Sequence, residues 1–306
     1  MPKAGAEPAS RSVSDGAHGD SAVPTGSATP RGGKRLASPA GIGRGALAAW
    51  HVVILAIVFG VWYLLTTPGV VDAAYANRIA FFFGRPLQVI KVVIAWFVSG
   101  KIYPHLAITL WETLLAFAIG SVLGLAIGLW LALAPTASAI AEPYITALNA
   151  MPRVILAPIF AVWFGLGVLS KVALGVTLVF FIVFFNVYQG VKEVSPVVLA
   201  NARMLGASRR QLLRSIYLPS ATSWVFSSLH TSVGMAFVGA VVGEYLGSAK
   251  GVGYLILQAE GVFDINTVIA GIVVLTIFAL LLDFVVTKIE ARLLVWRPRA
   301  AQTETL

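Results

Sequence analysis

The chain has 306 residues, 58% hydrophobic and 11% charged, with a mean hydropathy of +0.87, too apolar for a water-soluble globule and long enough for several membrane spans. It has no cysteine, which excludes disulfides, thiolate nucleophiles and cysteine metal sites. The net charge of +9 comes without an aromatic-basic platform or zinc spacing, so it is read as membrane topology rather than nucleic-acid binding.

Residues 1–45 are rich in Gly, Ala, Ser and Pro and lack apolar periodicity; such a segment buries too little surface to offset chain entropy, and a disordered cytoplasmic tail is expected. The first apolar run, 47–66, begins too late for a cleaved signal peptide and reads as a transmembrane helix of roughly 20 residues. Residues 86–99 carry Leu87, Ile90, Val93, Ile94 and Phe97 at helical spacing, opposite Gln88 and Lys91. This pattern predicts an amphipathic helix lying along the outer interface, within a segment 46–105 that precedes the main domain.

A second span is expected over 106–134, with Glu112 its only charge and Gly120, Gly124 and Gly128 on one stripe for close helix packing. The third run, 139–164, is interrupted by Pro152 and Pro158, each of which removes a backbone donor. Residues 171–192, 220–243 and 265–282 complete six spans of an all-α membrane protein, whose main domain is 106–290, followed by a cytoplasmic tail at 291–306. With both termini inside, the inner segments hold fifteen basic residues and the outer ones six, the asymmetry expected of a plasma (inner) membrane protein with cytoplasmic ends.

The polar segment between the fourth and fifth spans is the most informative. Ser195 is placed to cap a helix opened by Pro196, and Gly206 suits the left-handed residue that closes it. Ser208 and Gln211 form a capping box for a second helix running through Leu212, Leu213 and Ile216 to Pro219. Arg203, Arg209, Arg210 and Arg214 direct this helix-turn-helix toward an acidic partner or phosphate head groups.

Ala202, Gly206, Ile216, Leu218 and Pro219 fall in the register of the Glu-Ala-Ala loop, and the segment resembles that loop of binding-protein-dependent ABC importer permeases. Ala200 and Asn201 stand where the family has its first two residues, so a contact made by the family's glutamate does not carry over. Asn149-Ala150-Met151-Pro152-Arg153, Trp163 to Gly167 with Ser170-Lys171, Gly243 to Gly247 and Gly251 to Leu255 extend the resemblance to the nitrate/sulfonate/taurine type over roughly 86–298. The resemblance implies the type I, MetI-like permease architecture with a cytoplasmic coupling helix. It also implies no cofactor, two ATPase subunits docked inside, an external substrate-binding protein and a second permease copy.

On that reading Ala200, Asn201, Ala202, Arg203, Gly206, Ala207, Ser208, Ile216, Leu218 and Pro219 form the ATPase-coupling element. The chain has no Gly-x-x-x-x-Gly-Lys-Ser/Thr loop, so ATP hydrolysis is expected on a separate subunit. Polar groups at membrane depth are the candidates for the translocation path: Glu112, Asn149, Arg153, Asn186 and Glu244. Arg153 is read either as an anion contact or as a structural partner of Glu112 or a helix carbonyl, and Asp283 as the partner of Lys288. The four histidines, His18, His51, His105 and His230, form no zinc pattern. An ion-coupled secondary transporter leaves the inner helical element without a purpose, and no hydrolase motif is present.

Overall fold

The structure, a computed structural model, describes residues 44–293; the tails expected at 1–45 and 291–306 lie outside them except for 44–45 and 291–293. The chain divides into two units, Met1–Val52 and Val53–Leu306. The first is described only over 44–52, where helix α1 begins.

All helices are named in chain order. They are α1 (Arg44–Thr66), α2 (Ala73–Phe83), α3 (Pro86–Val98), α4 (Ile102–Leu133), α5 (Pro135–Ala150), α6 (Leu156–Phe164), α7 (Val168–Lys192), α8 (Pro196–Met204), α9 (Arg209–Leu212), α10 (Leu218–Ser227), α11 (Leu229–Leu246), α12 (Val252–Gly261) and α13 (Ile265–Leu293). Among the described residues five helical segments are long and apolar enough to cross a membrane: Ala49–Thr66, Ala73–Val98, Ile102–Leu133, Val168–Lys192 and Ile265–Glu290. The pair Pro135–Ala150 and Arg153–Phe164, bent by 76°, makes a sixth if it is one span.

The total agrees with the sequence, but the membership differs. The set joins α2, for which the sequence placed no helix, to α3, which the sequence laid along the interface, and omits α10–α11, which it counted as the fifth span. Both segments are interrupted. Gly84, with φ of 66°, breaks α2 from α3, and Ser228 separates α10 from α11.

Packing builds two cores. Ala116 of α4, Val172, Val179, Val183, Val187 and Val191 of α7, Ala221 of α10 and Ala236 of α11 form one of them. The glycine stripe of α4 lies directly on α7: a Cβ added at Gly124 would stand 2.9 Å from both the Phe180 carbonyl oxygen and Val183 Cβ. The second core joins Val89 and Trp96 of α3, Ile102 of α4, Val252, Leu255 and Ile256 of α12, and Ala270 and Val274 of α13. The α2–α3 corner is fixed to α13 by the Arg85 amide, which donates to Asn266 Oδ1 at 2.8 Å.

Candidate functional site

The segment joining α7 to α11 is built from strong local signals. Pro196 opens α8, where a missing amide donor costs nothing. Ser195 makes no side-chain capping bond, contrary to the sequence expectation; its carbonyl instead accepts the Leu199 amide at 3.2 Å. At the other end Gly206 has φ of 80°, the Ala207 amide donates to Ala202 O and the Gly206 amide to Arg203 O, both at 3.0 Å. That pair of bonds is the Schellman closure, which needs a left-handed residue and therefore favours glycine.

The capping box forms: the Ser208 amide donates to Gln211 Oε1 at 2.7 Å, and the Gln211 amide to Ser208 Oγ at 3.3 Å. The second helix does not stop at Pro219. A widened π-turn, Leu213–Tyr217, carries the chain from α9 into α10, which contains the proline. A proline inside a helix removes one ladder donor and crowds the carbonyl a turn earlier, and a widened turn before it relieves both.

The two halves of this element are anchored differently. The α10 half is welded to α7: Ser220 Oγ donates to Gly190 O at 2.8 Å, and the Trp224 indole occupies the space a side chain at position 190 would need. Helix α8 buries none of its residues. Val197, Val198, Met204 and Leu205 stand exposed, the last at 88%. Together these exposed apolar side chains make α8 a candidate contact surface.

A second constellation lies inside the helix bundle. Glu112 of α4, Glu244 of α11 and Lys171 of α7 are all buried, at 2%, 0% and 0% exposure. The two carboxylates are in contact with each other and face the lysine, whose ammonium donates to the carbonyls of Leu166 at 2.6 Å and Gly167 at 3.0 Å.

Three successive amides opening α12 meet side chains: Gly251 donates to His105 Nδ1 at 3.1 Å, Val252 to Thr109 Oγ1 at 3.3 Å and Gly253 to Glu244 Oε2 at 2.8 Å. Thr109 donates in turn to Glu244 Oε1 at 2.6 Å. A carboxylate at a helix N-terminus satisfies free donors and opposes the positive end of the helix dipole. The glycines are needed for this approach, since a Cβ at Gly251 would overlap the Glu244 carboxylate and one at Gly253 would stand 2.6 Å from Val241 O.

The candidate path residues therefore separate. Glu112 and Glu244 lie in the interior of the subunit, whereas Asn149 is exposed and Arg153 half-buried. Arg153 does not pair with Glu112. Its Nη2 donates to the carbonyl of Asn149 at 3.1 Å and to the Asn149 side chain, while the guanidinium lies 4.5 Å from the centre of the Phe181 ring. Asn186 is half-buried and donates to Ile182 O at 2.8 Å.

Asp283 does not pair with Lys288, whose ammonium lies over Phe284. It stands 3.9 Å from His230, which also contacts Thr287 at 3.0 Å and Glu290 at 3.1 Å. Sequence reasoning missed Lys171, Thr109 and His105 as parts of one cluster. The signal available was a carboxylate between glycines at 243–247, followed by a second glycine pair at 251 and 253.

Residues 120–295 match the family model described as binding-protein-dependent transport system inner membrane component. The permease protein SsuC of Bacillus subtilis, whose name refers it to aliphatic sulfonates transport, is 29% identical over 80% of this chain and 87% of its own length. The taurine transport system permease protein TauC of Escherichia coli is 28% identical over 79% of this chain and 87% of its own. The formylaminopyrimidine transport permease protein ThiX of Halalkalibacterium halodurans is 32% identical over 70% and 85%. With more than half its length matched, and with a capped helix-turn-helix between its long apolar helices, the chain belongs to the family of inner membrane components of binding-protein-dependent transport systems.

Proposed function

We propose that this ABC importer permease carries a small organic or inorganic anion of the sulfonate, taurine or nitrate kind. Two copies enclose the path, a pair of separate ATPase subunits docks on α8 from the cytoplasm, and an external binding protein delivers the solute. Both termini face the cytoplasm, the outward apolar helix faces contact lipid, and 106–290 is the transport domain. The observation that carries the reading is α8 itself. It is closed by Gly206, buries none of its own residues, and leads through α9, opened by Ser208, into α10, which is welded to α7.

In this reading closure of the ATPase dimer moves α8, and the attached helices follow as a rigid body. Ala200, Asn201, Ala202, Arg203, Gly206, Ala207, Ser208, Ile216, Leu218 and Pro219 make or support the contact. The path runs past Asn149, Arg153 and Asn186, while Glu112 and Glu244 hold the helices around it.

The test is co-purification of an ATPase with the tagged chain, and solute uptake that stops on ATP depletion. Uptake that survives ATP depletion and collapses with the ion gradient would establish the secondary transporter instead.

A further inference from the structure

We propose that Arg153 is the anion-selecting contact of the translocation path, a reading that rests on the importer function above. The break between α5 and α6 places it. Pro152 ends the first helix and Arg153–Ile155 form a single tight turn before α6, so the side chain leaves the bend itself.

Its depth is set by its partner. Phe181, under the guanidinium, lies near the middle of α7, which runs Val168–Lys192; at ~1.5 Å per residue that is about 20 Å from the start of the helix. An arginine at mid-membrane is costly unless it faces protein or water, and such residues mark ion and substrate pathways.

What distinguishes the half-buried Arg153 from Lys171 and His230 is the lack of a counter-ion. Lys171 faces Glu112 and Glu244, and the ion pairs found among the described residues are those of His230 with Asp283 and Glu290. Arg153 has only neutral partners: the Asn149 carbonyl and side-chain amide on Nη2, and an aromatic face. Its Nε has no hydrogen-bond partner.

A guanidinium carries five donors in a planar fork that suits oxyanions such as carboxylate and phosphate. A sulfonate or nitrate presents the same planar edge of oxygens. Asn149 and Phe181 fix the orientation of the guanidinium without neutralising it; Nε is buried, and Nη1, which makes no hydrogen bond among the described residues, is the donor left for a passing oxyanion.

The experiment uses the whole transporter, this chain with its ATPase and binding protein in liposomes, and reads ATP-driven uptake of taurine, ethanesulfonate, nitrate and a neutral pyrimidine. Arg153→Gln is expected to lower anion uptake about tenfold, the scale of one charge-assisted hydrogen bond. Arg153→Lys, which keeps the charge and loses the fork, falls between wild type and Arg153→Gln. Asn149→Asp is nearly isosteric and sets a carboxylate beside the guanidinium; it is expected to suppress anion uptake as strongly, with ATPase co-purification intact.

Wild-type anion uptake by either Arg153→Gln or Asn149→Asp overturns the inference. So does a wild-type transporter that carries the pyrimidine and no anion, a result that leaves the importer reading standing. Absence of ATP-driven uptake of any solute by the wild-type complex overturns both.

Discussion

Replacing Gly124 by alanine tests whether α4 and α7 are held at backbone contact. The new methyl group would meet Phe180 O and Val183 Cβ at 2.9 Å and the Phe184 amide nitrogen at 3.0 Å. Ordinary contacts of such atoms lie near 3.5–4.0 Å, so the helices must part by several tenths of an ångström. Two of the three obstacles are backbone atoms, which have no rotamer to yield. Overpacking of this kind costs about 1–3 kcal/mol. The gain from replacing a mid-helix glycine offsets about 0.5–1 kcal/mol, leaving Gly124→Ala destabilised by roughly 1–2 kcal/mol.

Gly60 in α1 supplies the control, because a Cβ there meets nothing within 4 Å; Gly60→Ala should raise stability by about 0.5–1 kcal/mol. Reversible unfolding of the purified chain in mixed micelles, followed by circular dichroism, gives both values. If Gly124→Ala proves as stable as Gly60→Ala, the close α4–α7 contact is refuted.

Three further outcomes follow from the geometry. Gly206 has open space around it, so only its φ of 80° resists substitution. Gly206→Val should therefore cost about 1–2 kcal/mol and abolish ATPase pull-down and uptake, whereas Gly206→Asn, tolerant of the left-handed region, should retain most of both. Ser208→Ala removes one half of the capping box and should weaken the coupling element by about 1 kcal/mol, read as lower ATPase retention in pull-down with unchanged global melting. Glu244→Gln leaves the α12 amides without their anion and Lys171 with Glu112 alone, and disrupting this buried charge set should lower unfolding free energy by about 3 kcal/mol; wild-type melting would exclude the role given to it.

The legible parts of this chain are those decided by local rules. The break at Pro152, the left-handed Gly206 and the Ser208–Gln211 box each depend on a few neighbouring residues, and each occurs where the sequence places it. Pro219 misled because proline is read as a stop, while the π-turn at Leu213–Tyr217 absorbs its effect and the helix continues. Helices α2 and α12 escaped notice because 11 and 10 residues between glycines give too little periodicity to separate from a loop.

The burial of Lys171 was not legible either. Its position at the end of an apolar run looks like a water-facing boundary, and only the fold brings Glu112, from 59 residues earlier, and Glu244, from 73 residues later, up to it. The same long-range convergence gathers two of the candidate path residues, Glu112 and Glu244, into one buried cluster.

The bareness of α8 has a consequence for the life of the subunit before it meets its partners. Met204 and Leu205 are 78% and 88% exposed, so a copy standing alone keeps two large apolar side chains uncovered at the end of α8. On the proposed docking, the patch that takes the ATPase is therefore the same one that an unassembled copy leaves bare.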